Sequence, residues 1–175
     1  MLSVFPSSRP SGFSLVELMI GIAILAILLG LAVPSFQTWL QNSQIRNAAE
    51  AVLNGLQRAR AEAVARNTNV EFVLGTGSSW VVQLADGTDI ETRSANEGSR
   101  NVTATVTPAG ATTVTFNNFG GLGLNADASA PFTQVELDSS VLTAAESQEL
   151  RVTIGLGGNA RMCDPNAPAG SPRAC

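Results

Sequence analysis

Hydrophobic and polar positions fall into three regimes along the chain. The first is a 19-residue apolar run, Leu15–Val33, interrupted by one charge at Glu17. Counted from Phe13, about 21 helical residues at about 1.5 Å each reach roughly 31 Å, enough to cross the hydrocarbon of a bilayer. From Pro34 the pattern stays helical but becomes amphipathic. Ile45, Ala49, Val52, Leu56, Ala59 and Ala63 recur at spacings of three and four, while Gln41, Asn47, Glu50, Asn54, Arg58 and Glu62 take the other faces. This stripe reads as the core-facing side of a helix packed on its own domain. Pro34, preceded by Gly30, is expected to kink or loosen the helix, and Asn67-Thr68-Asn69 to end it.

The third regime, from Val70, is one of short strands punctuated by turns. Strands are expected at Val70–Leu74, Trp80–Ala85, Thr88–Arg93, Asn101–Thr107, Thr112–Phe116, Phe132–Leu137, Glu149–Ile154 and Ala160–Cys163. Asp86-Gly87 joins the second and third as a hairpin and could take the positive φ angles of a type I′ turn. Val102, Ala104 and Val106 alternate with Thr103, Thr105 and Thr107, the pattern of an antiparallel sheet with one face packed. Asn117–Pro131 should be a long loop. Its Gly120-Gly121-Leu122-Gly123 fits neither a phosphate cradle nor a dinucleotide fingerprint, so its glycines only supply a permissive backbone. Asn101-Val102-Thr103 matches a glycosylation sequon but falls inside a strand. The fold class is therefore α+β: a long N-terminal helix, half membrane-spanning and half amphipathic, packed on a C-terminal antiparallel β-sheet domain.

Composition narrows the chemistry. The 175 residues make one domain's worth of chain, and 45% are hydrophobic against only 14% charged, so part of the apolar content serves something other than a core. All ten basic residues are Arg; Lys, His and Tyr are absent. That excludes a His base, a Ser/His or Cys/His nucleophile pair, a Schiff-base Lys and a His-containing zinc site. No cofactor, metal or catalytic residue is expected, since Asp86/Asp89 and Glu136/Asp138, the nearest carboxylate pairs, sit at turns and strand ends where acids are ordinary. A net charge of −4 disfavours nucleic acid and anionic lipid except at a local Arg patch.

An ordinary secretory signal, with Gly30-Leu31-Ala32 as its cleavage region, is too long and carries a carboxylate where none is normal. Gly12-Phe13-Ser14-Leu15-Val16-Glu17 and the apolar run after it instead resemble the class III signal of type IV prepilins and pseudopilins. The resemblance implies a leader over residues 1–12, cut by a prepilin peptidase between Gly12 and Phe13, and N-methylation of Phe13. It also implies that Glu17, the fifth mature residue, serves assembly by pairing with a neighbour's N-terminal ammonium, and that Pro34 stands at a family helix bend. Residues 13–34 would then be the transmembrane and filament-core helix, 35–67 the amphipathic helix of the head and 68–175 a β-rich, pilin-like head. A single inner-membrane pass with the head in the periplasm is expected, Arg9 being the one charge of the leader. Expected partners are membrane lipid before assembly, the inner-membrane assembly platform, and other minor and major pilins.

The tail from Gly155, with Cys163-Asp164-Pro165 and a final Cys175, resembles the subgroup containing GspH, FimT and FimU. Two cysteines without His cannot complete a tetrahedral metal site, whereas an exported protein would oxidise them, so a Cys163–Cys175 disulfide is expected. The resemblance implies a minor pilin of a type IV pilus that primes or caps filament assembly. One alternative is a GspH-type pseudopilin of type II secretion. Another is a FimT-like DNA-binding pilin for natural transformation, where such members carry a Gly-Arg-x-Arg pattern. Here the stretch reads Gly158-Asn159-Ala160-Arg161, so the candidates for DNA contact are Arg161 and Arg173, with Arg151 nearby, and DNA is not the favoured partner.

Overall fold

A computed structural model describes residues 12–175, so the expected leader lies outside the described residues except for Gly12. Helix α1 spans Leu15–Arg66 and includes Pro34 without interruption. The chain divides into two compact units, one up to Gln37 and one from Thr38. In the first, the apolar window of α1 is 0% buried among the described residues. Pro34 has no N–H to offer the carbonyl of Gly30, and Ser35 Oγ donates to the carbonyl of Ala32 at 2.9 Å.

The second unit is the head. Ile45, Ala48, Ala49, Val52, Gly55, Leu56, Ala59 and Ala63 of α1 are buried, the predicted stripe widened by Ala48 and Gly55. The helix ends where expected: Asn67 adopts φ 53°, and Thr68 N–H donates to the Ala63 carbonyl while Asn67 N–H donates to that of Val64. This is a Schellman cap with Asn in the left-handed position usually held by Gly.

Eight strands follow: β1 Val70–Leu74, β2 Trp80–Leu84, β3 Asp89–Arg93, β4 Val102–Thr107, β5 Thr113–Phe116, β6 Gln134–Ser139, β7 Leu150–Ile154 and β8 Ala160–Cys163. They form two antiparallel four-stranded sheets, β3-β2-β1-β5 and β4-β6-β7-β8, so β5 leaves its sequence neighbour β4 to pair with β1. Val70, Phe72, Leu74, Trp80, Val82, Val114 and Phe116 of the first sheet join Val102, Val135, Leu137, Val152 and Ile154 of the second and the α1 stripe in one core. Phe132 closes it edge-on to Phe72, with ring centroids 6.1 Å apart.

The β2–β3 connection differs from the type I′ expectation. Gly87 alone takes positive φ, at 86°, its N–H donates to the Leu84 carbonyl and Leu84 N–H to that of Thr88. Asp86 instead keeps negative φ and accepts the Thr88 N–H at 2.9 Å, the three-residue loop with a left-handed glycine. That bond holds the Asp86 carboxyl below the usual carboxylate range. The loop after β5 is not loose. Buried Asn125 donates to the Thr113 carbonyl and accepts from Thr115 Oγ1, while buried Glu71 accepts from Ala126 N–H and Gln83 Nε2. The loop is thereby fastened over the outer side of the first sheet.

Gly55 is the closest point between helix and sheet. A Cβ there would stand 2.7 Å from Phe72 Cε2 and 3.0 Å from Trp80 Cε2. Gly55→Ala would gain about 1 kcal/mol of helix propensity, yet the two rings must move, and overpacking costs roughly 1–3 kcal/mol. The expected outcome is a lowered thermal unfolding midpoint of the detergent-solubilised chain; an unchanged or raised midpoint would show that the notch is not close-packed.

A Cys163–Cys175 disulfide closes the tail, with the Cα atoms 5.0 Å apart. Backbone bonds Asp164 N–H to the Arg173 carbonyl (2.7 Å) and Cys175 N–H to the Asp164 carbonyl (3.4 Å) lie inside this ring. Closing a ring of this size contributes about 3 kcal/mol on the chain-entropy view. Paired Cys→Ser substitution should therefore speed amide exchange at Asp164 and Cys175 while β6 and β7 stay protected. Equal loss of protection across the second sheet would contradict this local role.

Candidate functional site

The N-terminal site begins in extended chain. Gly12, Phe13 and Ser14 precede α1, and the Phe13 side chain is 92% exposed. Ser14 caps the helix: its Oγ accepts the Glu17 N–H (3.2 Å), and Glu17 Oε2 accepts both the Ser14 N–H (2.9 Å) and its hydroxyl (3.1 Å). This reciprocal arrangement is a capping box, which satisfies helix donors that have no intrahelical partner. Its signature is the Ser-x-x-Glu spacing of Ser14-Leu15-Val16-Glu17 just before the apolar run. The carboxylate thus already has local partners in the first turn, at the end of the unburied apolar helix.

The tail arginines are placed quite differently from one another. Arg151 on β7 pairs with Glu136, its cross-strand neighbour on β6. Arg161 on β8 donates Nη2–H to the Cys175 carbonyl at 2.9 Å, so its guanidinium braces the disulfide-closed tail. Arg173 is exposed and lines a cavity of about 400 Å³ shared with Arg46 of α1, Glu149 and Asp164. Of the two arginines singled out from the sequence, one is engaged by the tail and the other faces a mixed-charge cavity rather than a basic stripe. Arg46, which shares that cavity, carries no sequence signal for it, because the acids of the lining lie more than a hundred residues further along the chain.

Helix side chains also fix the head's connections in place of backbone. Asn42 donates to the Glu146 carbonyl and accepts from Gln148 N–H, both at 2.9 Å, while Gln44 accepts from Asn101 N–H and Gln41 from Asn101 Nδ2. Arg60 donates to the Gly120 carbonyl at 2.8 Å, tying the glycine loop to the helix end. Gly158, φ 76°, packs there too, where a Cβ would fall 2.2 Å from the Gly120 oxygen. Glu62 bridges Arg58 and Arg66 along α1, and the Arg66 hydrogen bond holds its carboxyl below the usual range, against the opposing effect of burial.

Among the described residues no group of His, Cys, Asp and Glu could hold a metal ion. The family model described as Type II transport protein GspH matches residues 48–158, and that of the prokaryotic N-terminal methylation motif matches residues 7–33. Of solved structures, the type IV minor pilin FimU of Pseudomonas aeruginosa in its P21 crystal form is 20% identical, with a TM-score of 0.50 over 75% of this chain and 94% of that one. The P65 form of the same protein is 18% identical, with a TM-score of 0.49 over 74% and 98%. The likeness to FimU extends to the fold, one long helix on antiparallel sheets. Since the first match takes in well over half of the sequence and the second its apolar start, the chain belongs to the GspH family of minor pilins and pseudopilins, structural subunits rather than enzymes.

Proposed function

We propose that this chain is a minor pilin of a type IV pilus, made with a leader over residues 1–12 that a prepilin peptidase removes between Gly12 and Phe13. N-methylation of Phe13 follows. Residues 13–34 then hold the subunit in the inner membrane with the head in the periplasm, and afterwards in the filament core, where Pro34 bends the helix. The head's place is at or near the start of the filament, among other minor and major pilins.

The observation that carries this reading is the apolar half of α1, whose hydrophobic window is wholly unburied among the described residues. Lipid satisfies it before assembly, and equivalent helices of neighbouring subunits satisfy it afterwards. The likeness of the fold to FimU, a type IV minor pilin, supports the pilus. The printed description of the matching family favours a second reading, a pseudopilin of type II secretion. Deleting the gene separates them: loss of surface pili with secretion intact supports the first, and the reverse outcome the second. The DNA-receptor reading is weakened by the engagement of Arg151 and Arg161, since each phosphate contact adds one increment of affinity.

Two measurements test processing and assembly. The intact mass of the mature chain should correspond to a methylated N-terminal Phe13, and an N-terminus at Val33 would overturn the prepilin reading. Glu17→Ala should enter the membrane at least as well as wild type, because it removes a charge from hydrocarbon, yet should be depleted from sheared filaments. Glu17→Gln separates the two roles of the side chain, since the amide oxygen can still cap Ser14 while the charge is gone. Depletion of both variants assigns assembly to the charge, and normal incorporation of Gln assigns Glu17 to the cap alone.

A further inference from the structure

Two buried donors where the helix meets the first sheet have no acceptor among the described residues: Trp80 Nε1 and Arg93 Nη1. Trp80 is only 4% exposed. The two residues stand directly opposite each other in the β2–β3 ladder and line the same cleft. Buried donors are nearly always paired, because one left alone loses the hydrogen bonds it made to water in the unfolded chain. An adjacent pair calls for an acceptor from outside.

A cleft opens beside them, and both orphaned atoms stay covered until a wall residue moves. Trp80 and Arg93 line a cleft of about 400 Å³ whose other walls include Asn54, Gly55 and Arg58 of α1 and Glu91 of β3. The Gly55 notch sets the indole there: its Cε2 atom, bonded to Nε1, would be 3.0 Å from a Cβ at position 55. Arg93 is steadied by the bond from its Nη2 to the Glu97 carbonyl at 2.8 Å, which leaves Nη1 uncommitted. Arg58 straps the cleft, reaching Glu62 on the helix (2.9 Å) and Glu91 on β3 (3.4 Å) with a side chain 53% exposed. An exposed ion pair of this kind is weak and readily exchanged.

The charge balance selects the ligand. Arg58 and Arg93 against Glu91 leave one net positive charge in the lining, too little for a polyanion but matched to a single carboxylate. A carboxylate's two oxygens can accept from an indole N–H and a guanidinium together, and the guanidinium bond is charge-assisted. We propose that the cleft between α1 and β3 receives an acidic side chain, Asp or Glu, of a neighbouring pilin subunit, with Trp80 and Arg93 donating to it and Arg58 swinging away from Glu91 to admit it. This rests on reading the chain as an assembling subunit.

The test uses the full chain in detergent micelles with ¹⁵N-labelled tryptophan, the Trp80 indole resonance being assigned by its loss in Trp80→Phe. The probes are N-acetyl-aspartate N-methylamide and the matching asparagine derivative at constant ionic strength. The expected result is a saturable shift of the Trp80 resonance with the acid, at least tenfold weaker binding of the amide, and at least tenfold weaker binding of the acid to Arg93→Gln. Trp80→Phe keeps a ring in the Gly55 notch, so with its far-UV circular dichroism and thermal unfolding midpoint unchanged it should co-purify with partner pilins at least fivefold less than wild type. An indole resonance that ignores both probes, or answers them equally, would overturn the proposal, as would finding Nε1 bonded to the Asn54 side chain. Because the probes act on the isolated chain, absence of the chain from filaments would count against the pilus reading without altering this result.

Discussion

Everything in the head depends on how closely one helix can approach a sheet. The buried stripe of α1 is built mostly from small residues, Ala48, Ala49, Gly55, Ala59 and Ala63, and the bulk is supplied from the other side by Phe72, Trp80, Phe116 and Phe132. Large rings set into a shallow helical surface give a thin, dense interface. Its tightest point is Gly55, which no other residue type could occupy without moving Phe72 or Trp80. Leu56, Val52 and Ile45 add larger side chains to the same core, which both sheets share.

The same helix serves two solvents. Its head half presents polar side chains as substitutes for backbone, and Asn42 clasps the loop at Glu146 and Gln148 from both its donor and its acceptor. Those bonds fix where long connections run without a further strand or a second domain. The other half offers only apolar side chains and a capping box at its start, which leaves almost no polar group to satisfy in a bilayer or a helix bundle. A subunit so divided has a packed head and an uncovered helix, the condition under which assembly becomes favourable.

Placement of arginine decides which other functions remain open. Ten arginines with no lysine mean that every fixed positive charge is a planar fork suited to directed bonds. Arg60, Arg66, Arg151 and Arg161 spend theirs on Gly120, Glu62, Glu136 and Cys175. The others among the described residues are dispersed: Arg100 reaches Asn96, Arg46 and Arg173 line a cavity with two acids, and Arg58, paired with Glu62 and Glu91, stands with Arg93 at the helix–β3 cleft. Such an arrangement suits contacts with individual partner groups better than a phosphate backbone.

Periodicity within the sequence determined a good deal: the apolar run, the amphipathic stripe, the helix end at Asn67 and the position of all eight strands to within a residue or two at most ends. These are local properties, since the spacing of apolar residues and the conformational limits of Asn and Gly act over a few neighbours. The tail cysteines were legible too, because Cys163 and Cys175 had only each other. The sequence pattern says which face of a segment is buried but not against what. Tertiary structure therefore decided that β5 joins β1 rather than β4, that the glycine loop folds back onto the helix end, and that Gly55 is a notch rather than a weak point in a helix. It also decided that Arg161 braces the tail while Trp80 Nε1 and Arg93 Nη1 find no acceptor among the described residues. Each of these depends on groups from different elements, 13 to 60 residues apart, brought together by folding, a geometric condition that no short window of sequence contains.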